Sequence, residues 1–251
     1  MPVSKIKKVW DYCTYNKPFF ILILLLFCVI TYIDDYSKNP NMIIAGASLI
    51  ITTVFIFGYG MTITRDRISN GKRLPKIIIR DVLILGIQSA ILMIIYLTVQ
   101  QYLLTFICSP LNFPNFELEE LIIHYDETLT SIYAHNPRDT LIFIIAGGIT
   151  FYITAFFMEI SLARLADTDN ILSAINLWEI KKDIDIIGWR NYAVDYTKIA
   201  LALAFFAALD YLTFPNTSLN YIWSELVYLF TFATQFLGIG AVYSKVKENK
   251  N

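Results

Sequence analysis

The sequence predicts an all-α, polytopic membrane protein with six transmembrane helices and both termini in the cytoplasm. Three observations support this fold class: the composition, six long apolar segments, and the placement of positive charge. The chain has 251 residues, of which 56% are hydrophobic and only 16% are charged, whereas soluble domains average about 25% charged residues. The net charge of −1 argues against a strongly basic nucleic-acid-binding protein.

Six apolar segments approach or reach the roughly 20 residues that a helix needs to cross the hydrocarbon core of a bilayer. They cover residues 19–33, 42–63, 82–108, 141–158, 199–214 and 221–243. Each is predicted to be a helix, because open strands cannot satisfy their backbone groups in lipid. The prolines lie between these segments or at their ends, which supports the boundaries. The first segment lacks the small-x-small site of a cleaved signal peptide, so we expect it to be retained.

The positive charges alternate between the connecting segments. Of the 20 Lys and Arg residues, 18 lie in the N-terminal stretch, the loops after the second and fourth segments, and the C-terminal tail. The remaining two, Lys38 and Arg138, lie in the alternate loops. Because cytoplasmic loops carry the excess of Lys and Arg, this split predicts a cell-membrane protein with its N and C termini inside. The basic inner loops are also expected to meet anionic lipid.

Two connecting loops have helical periodicity. An acidic amphipathic helix is predicted over 116–133 on the outer surface, with Asn115 as its N-cap. An inner amphipathic helix is predicted over 170–187, ending near Gly188. Its apolar stripe comprises Ile171, Leu172, Ile175 and Trp178.

A threefold repeat of helix pairs is a further hypothesis. Gly58-Tyr59-Gly60 begins seven residues before Arg65, and Gly238-Ile239-Gly240 begins seven residues before Lys245. Chance similarity explains this match equally well, because periodic apolar segments resemble one another easily. The whole chain, 1–251, is treated as a single membrane domain.

The segment GYGMTITRDRISNGKRLPK, residues 58–76, is rich in glycine and basic residues. Its glycine spacing matches neither a P-loop nor the dinucleotide-binding fingerprint. We expect Gly58 and Gly60 to allow close helix contact and Asn70-Gly71 to form a tight turn.

Intramembrane charge is the usual indicator of a functional site in a membrane protein. Asp210 lies near the outer end of the fifth segment and Glu225 about one turn inside the sixth. Because a short turn joins these segments, the two carboxylates are predicted to form an outer-face polar site for a cation or proton. The alternative is that both carboxylates reach interfacial water.

Other candidate sites are weaker. His124, Glu120 and Glu127 share a face of the predicted outer helix, but a closed metal site needs a denser set of ligands. A solvated acidic face is therefore favoured, and no cofactor is predicted. The stripe of small residues on the fifth segment, Ala200, Ala204 and Ala208, is typical of close helix packing.

The 58–76 segment resembles the signature of an uncharacterised group of archaeal and bacterial membrane proteins, domain-of-unknown-function family 4013. The matching positions are Gly58, Tyr59, Arg65, Gly71, Leu74 and Pro75. The similarity extends to about Leu212 through a second cytoplasmic segment that leads into the next span. One departure is that KIIIRDVLI enters the third span almost directly after Leu-Pro, which predicts that the inner helix preceding this span is shortened. The resemblance implies an archaeal or bacterial membrane protein, and no activity, substrate or catalytic residue.

These observations favour a non-enzymatic accessory, assembly or interaction protein, because no catalytic constellation is found. Its expected partners are the lipid bilayer and another membrane protein or a second copy of the chain. The alternative is a small transporter or channel with Asp210 and Glu225 at its outer mouth. A membrane enzyme that uses His124 and Glu120 of the outer loop is a third hypothesis.

Overall fold

A computed structural model describes residues 3–25, 42–109, 137–212 and 217–250, which are helical apart from short turns and contain no strand. The helices are α1 (Val3–Thr14), α2 (over 17–25), α3 (Met42–Ile68), α4 (Ile79–Cys108), α5 (Pro137–Thr168), α6 (Ile171–Ile175), α7 (Leu177–Ile187), α8 (Trp189–Asp210) and α9 (Thr217–Lys250). The predicted all-α class is therefore confirmed.

Within the described ranges, four helices are long and apolar enough to cross a membrane. They are Ile79–Cys108, Pro137–Thr168, Trp189–Asp210 and Leu219–Asn249. The first predicted span, 19–33, is described only as far as residue 25. The predicted outer helix, 116–133, lies outside the described residues together with His124 and Asn115.

The helices run beyond the apolar segments from which the spans were predicted. The sequence places the second span at 42–63 and the fourth at 141–158, whereas α3 ends at Ile68 and α5 covers Pro137–Thr168. An apolar segment in the sequence indicates only the part of a helix that lies in the hydrocarbon core of the bilayer. The backbone hydrogen bonding of the helix continues into the charged residues on either side.

The chain divides into two compact units. One comprises Met1–Leu92 with Glu159–Asn251, and the other comprises Met93–Met158. In the first unit, α9 is the central helix and packs against α1, α3, α7 and α8. In the second unit, the hydroxyls of Thr150 and Thr154 donate to carbonyls of their own helix, at Ala146 (2.9 Å) and Thr150 (2.8 Å).

The inner segment predicted as one helix over 170–187 is two helices separated at Asn176. Asn170 accepts hydrogen bonds from Leu172 N and Ser173 N at the start of α6, and Asn176 accepts one from Trp178 N at the start of α7. Asparagine is a favoured N-cap because its side-chain oxygen satisfies these otherwise unpaired amides. A cap in the middle of the segment therefore restarts the helix.

The face that α6 and α7 bury differs from the predicted apolar stripe. Leu172 and Trp178 of that stripe are exposed. The buried residues are Ala174, Ile180, Asp183, Ile184 and Ile187. The α6–α7 segment thus packs one side against the rest of the first unit. Large apolar side chains are exposed on its other side, which is typical of a helix at a membrane interface.

Candidate functional site

The loop between α3 and α4 folds back onto α3. Tyr59 is almost fully buried and donates its hydroxyl to the carbonyl oxygen of Pro75 at 3.2 Å. Leu74 is buried as well. A buried tyrosine hydroxyl needs such a partner, so the position of the loop is tied to the helix it leaves.

The turn at the end of α3 depends on Gly71. Asn70 has a left-handed backbone with φ 62°, which asparagine tolerates better than most residues, and Gly71 N donates to Asp66 O at 2.8 Å. A Cβ at Gly71 would lie 1.7 Å from Asp66 Oδ2. The same Oδ2 atom accepts a hydrogen bond from the Tyr12 hydroxyl at 2.7 Å. Through this hydrogen bond, the turn also anchors α1. Burial and the bond to Asp66 raise the pKa of the Tyr12 hydroxyl far above its ordinary value.

Helices α3 and α4 cross at two glycines. A Cβ at Gly58 would lie 1.9 Å from Val82 O, and a Cβ at Gly86 would lie 1.9 Å from Val54 O. The backbones are therefore in direct contact, as small residues permit between membrane helices. The predicted role of Gly58 in close helix packing agrees with this geometry.

Arg65 reaches the end of α5. Its Nε donates to Ala166 O at 2.8 Å, and its Nη2 pairs with Asp169. The last carbonyls of a helix have no partner within the helix, and a cation there also interacts favourably with the helix dipole. Arg65 thus joins α3 to the terminus of α5.

The six signature-like positions therefore act on packing. Gly58 lies at the crossing of α3 and α4, and Arg65 links α3 to α5. Tyr59, Leu74 and Pro75 fix the path of the α3–α4 loop, and Gly71 shapes its turn. These contacts explain how such a pattern can identify a fold.

A buried polar cluster surrounds Arg164 of α5. Its Nη1 lies 2.5 Å from Asp183 Oδ2, its Nη2 lies 2.9 Å from Glu179 Oε2, and its Nε lies 2.8 Å from Ser173 Oγ. The Tyr243 hydroxyl donates to Asp183 Oδ2 at 3.0 Å. Asp183 is completely buried, so its charge depends on these partners. The cluster connects α5, α6, α7 and α9, and we define it as the Arg164 clamp.

Further ion pairs join α9 to α8 and α5. Asp195 of α8 lies 2.5 Å from Lys245 of α9 and also pairs with Lys198 of its own helix at 2.7 Å, and Asp167 of α5 lies 2.5 Å from Lys247 of α9. Two of the basic residues used to predict the topology, Lys245 and Lys247, thus pair with carboxylates of other helices. Such pairs position helices, although exposed ones contribute little stability.

The two residues of the predicted outer-face site, Asp210 and Glu225, differ in their exposure to solvent. Asp210 is exposed, and its Oδ1 accepts a hydrogen bond from Ser224 Oγ at 2.7 Å. Glu225, the next residue along α9, is buried. Ser224 is therefore the side chain that the structure brings to Asp210, and a joint carboxylate site at Asp210 and Glu225 stays a prediction.

A second buried carboxylate lies on α5. Glu159 Oε1 accepts from Gln235 Nε2 at 2.8 Å. Its Oε2 is buried without a hydrogen-bond partner among the residues that the structure describes. A cavity of about 10 Å³ lined by Glu159, Tyr192 and Tyr196 adjoins it, and this volume is about that of one water probe.

The described part of the chain contains no group of three or more His, Cys, Asp or Glu side chains that could hold a metal ion. The residues weighed for a metal in the outer loop, His124, Glu120 and Glu127, lie outside that part. The metal hypothesis for this loop stays open.

The Arg164 clamp was not predicted, because its members are far apart in sequence. One local signal was present: Asp183 lies on the same helical face as Ile180, Ile184 and Ile187. A carboxylate on an apolar face requires a buried partner, so this position could have been recognised as half of an ion pair.

Comparison with known proteins gives one match. A family profile described as "Protein of unknown function (DUF4013)" matches residues 42–214. No match to the chain is found among curated proteins or among solved structures. The matched region includes the signature-like positions, the Arg164–Asp183 pair and α8.

Proposed function

The chain belongs to the DUF4013 family, as its signature-like residues predict, and from this premise we propose that it is a non-enzymatic accessory or assembly protein. It acts by packing against another membrane protein, which includes a second copy of itself. The observation that carries this proposal is the outward face of α8. Only 17% of the apolar stretch of α8 is buried, the smallest share among the four candidate spans.

The small residues of α8 lie on that outward face. Ala204 and Ala208 are exposed, whereas Ala202 is buried. With 3.6 residues per turn, Ala204 and Ala208 share a face and lie about 160° and about 120° around the helix from Ala202. A small-xxx-small stripe favours close approach of a second helix, and within the described residues this stripe is left open.

Site-specific photo-crosslinking in native membranes tests the proposal. A small diazirine-bearing amino acid is introduced at Ala204, with Leu97 of α4 as the control because it is also exposed on a candidate span. We expect a protein adduct of discrete mass at position 204 and only lipid adducts at position 97. An adduct of twice the chain mass identifies a second copy.

Ala208→Leu adds bulk one turn along the same stripe and is expected to lower the adduct yield at position 204 several-fold. Lipid adducts alone at both positions would contradict the packing proposal. Equal protein adducts at both positions would also contradict it, because they indicate random collision in the membrane.

The proposed topology has six spans with both termini cytoplasmic, in the cell membrane of an archaeon or bacterium. The split of 18 basic residues against two supports this orientation. Contacts between α3 and α9 support the helix-pair repeat: a Cβ at Gly60 would lie 2.4 Å from Phe236, and a Cβ at Gly240 would lie 2.8 Å from Thr64 O. One glycine of each pair, Gly60 and Gly240, thus lies in the interface between α3 and α9.

The second candidate function is a small transporter or channel. Glu159 favours it, because a buried carboxylate in a membrane helix often marks an ion or proton pathway. The test is cation and proton flux into liposomes for the wild type and for Glu159→Gln, Asp210→Asn and Glu225→Gln. A wild-type flux that Glu159→Gln abolishes would replace the accessory proposal, whereas equal leak in all four samples would exclude this candidate.

A further inference from the structure

A large cavity lies between α1, α3, α8 and α9 in the first unit. Its volume is about 720 Å³, within the range of small-molecule sites. Helix α1 is held beside it by the Tyr12–Asp66 hydrogen bond and by stacking of Trp10 on Phe230, with ring centroids 5.3 Å apart. The cavity therefore lies between packed helices and is open on one side, and none of its lining residues belongs to the Arg164 clamp.

The lining of the cavity has an apolar part and a charged part. Its apolar part is formed by Ile199, Leu237, Gly238, Ala241 and Val242. Its charged part holds four cationic side chains and two carboxylates: Arg67, Lys72, Lys198, Lys245, Asp11 and Asp195. A site with this division suits an amphiphile whose head carries negative charge.

Two of the cations have no carboxylate partner. Asp195 is shared by Lys198 and Lys245. Arg67 makes only a long contact of 3.5 Å to Gly71 O, and neither it nor Lys72 pairs with a carboxylate in the described ranges. These two side chains are available to a phosphate, which arginine can bind with two parallel hydrogen bonds.

A buried hydroxyl lies in the apolar part. Thr234 lines the cavity and is only 5% exposed, and its Oγ1 has no hydrogen-bond partner among the described residues. Leaving a buried hydroxyl unpaired is unfavourable, so a ligand with a polar group at that depth satisfies it. Thr234 lies about 9 Å along α9 from Gly240, beside which Arg67 packs. The ester oxygens of a phospholipid lie between its phosphate and its acyl chains, so they can supply the polar group that Thr234 lacks.

We propose that this cavity binds one anionic phospholipid, whose phosphate is held by Arg67 and Lys72, whose ester oxygens face the Thr234 hydroxyl and whose acyl chain occupies the apolar part. The binding is independent of the α8 packing proposal, because none of the exposed alanines of α8 lines the cavity. It also differs from diffuse attraction of basic loops to anionic lipid, since it predicts a single site with defined residues.

Native mass spectrometry of the purified full chain tests the proposal. Phosphatidylglycerol is titrated beside phosphatidylcholine with the same acyl chains, and glycerol phosphate serves as the head without a tail. We expect one phosphatidylglycerol per chain, bound at least several-fold more tightly than phosphatidylcholine, and no binding of glycerol phosphate at equal concentration.

Charge variants locate the site. Arg67→Gln and Lys72→Gln are each expected to weaken phosphatidylglycerol roughly fivefold, since a basic residue near an anionic lipid contributes about 1 kcal/mol. Arg73→Gln is the matched control, because Arg73 is an exposed cation of the same loop outside the cavity lining. Equal losses in all three variants would overturn the site and indicate surface electrostatics.

A size variant separates the acyl chain from the head. Ala241→Leu fills the apolar part without changing charge and is expected to reduce binding at least tenfold, provided that its melting temperature matches the wild type. Unchanged binding in a folded Ala241→Leu protein would overturn the proposal. Competition by glycerol phosphate as strong as by the lipid would also overturn it, because the ligand would then be a soluble phosphate compound.

Discussion

Arg164 and Asp183 form a buried ion pair between α5 and α7, with Nη1 2.5 Å from Oδ2. The same carboxylate oxygen accepts the Tyr243 hydroxyl of α9. Three helices therefore meet at one oxygen atom. Because Asp183 has no exposure to solvent, removing either partner leaves an uncompensated charge or donor.

Arg164→Met is expected to lower the free energy of unfolding by roughly 3–5 kcal/mol, since breaking a buried pair strands the remaining charge. Equilibrium unfolding in mixed detergent micelles, followed by tryptophan fluorescence, measures this loss. The matched control is Lys181→Met, whose exposed pair with Asp185 at 2.7 Å is expected to contribute less than about 1 kcal/mol.

The double variant Arg164→Met/Asp183→Leu is expected to be less destabilised than the sum of its single changes, because apolar replacement of both partners removes the stranded charge. Additive losses would show that the two side chains act independently and would contradict the clamp.

Gly58→Ala is expected to destabilise the first unit by roughly 1–3 kcal/mol, the usual cost of overpacking. The reason is the 1.9 Å separation between the added Cβ and Val82 O, which only a shift of α3 or α4 can relieve. Thermal unfolding in detergent gives the difference. Gly147→Ala is the control, since its Cβ would meet nothing within 4 Å, and we expect it to be neutral or stabilising by up to about 1 kcal/mol. Equal effects of the two changes would refute the crossing.

Cys13 reports on the attachment of α1. Burial raises the pKa of its thiol to about 12, so the reactive thiolate is scarce at neutral pH. The rate of labelling by a maleimide should be slow and should keep rising with pH beyond 9, where an ordinary thiol levels off. Tyr12→Phe removes the hydrogen bond to Asp66 and is expected to speed labelling several-fold. A Tyr12→Phe protein that labels at the wild-type rate would show that this bond does not hold α1.

The proposed orientation predicts which positions face outside the cell. Single cysteines at the exposed positions Lys76, Ser109 and Leu212 are compared in intact cells with a membrane-impermeant maleimide. We expect labelling at 109 and 212, and at 76 only after permeabilisation. The reverse pattern would indicate the inverted topology. Labelling of both 76 and 109 in intact cells would exclude the proposed arrangement with two cytoplasmic termini. Cys13 is unsuitable for this assay because it is buried.

Apolar segments predicted the helix class well because hydrophobicity acts locally along a span, as α4 and α9 show. Glycine spacing also carried information, since Gly58 contacts a backbone that only a residue without a Cβ can approach. Long-range pairing could not be predicted in this way. Nothing adjacent to Arg164 in the sequence points to Tyr243, and the break at Asn176 depends on a capping side chain that competes with an otherwise continuous helical pattern.

The predicted outer site shows a related limit. The short separation in sequence between α8 and α9 predicts that the neighbourhoods of Asp210 and Glu225 lie close together, but helical rotation decides which side chains meet. One residue of rotation is about 100°, and it is Ser224 that contacts Asp210.

The central position of α9 has a consequence for how the protein is made. Its partners α1, α3, α7 and α8 all precede it in the chain and therefore leave the ribosome first. Until α9 is inserted, Asp183 lacks Tyr243, and Gly60 lacks the ring of Phe236. Before that point, the earlier helices lack the partner that they share. Completion of the fold of the first unit is thus coupled to synthesis of α9.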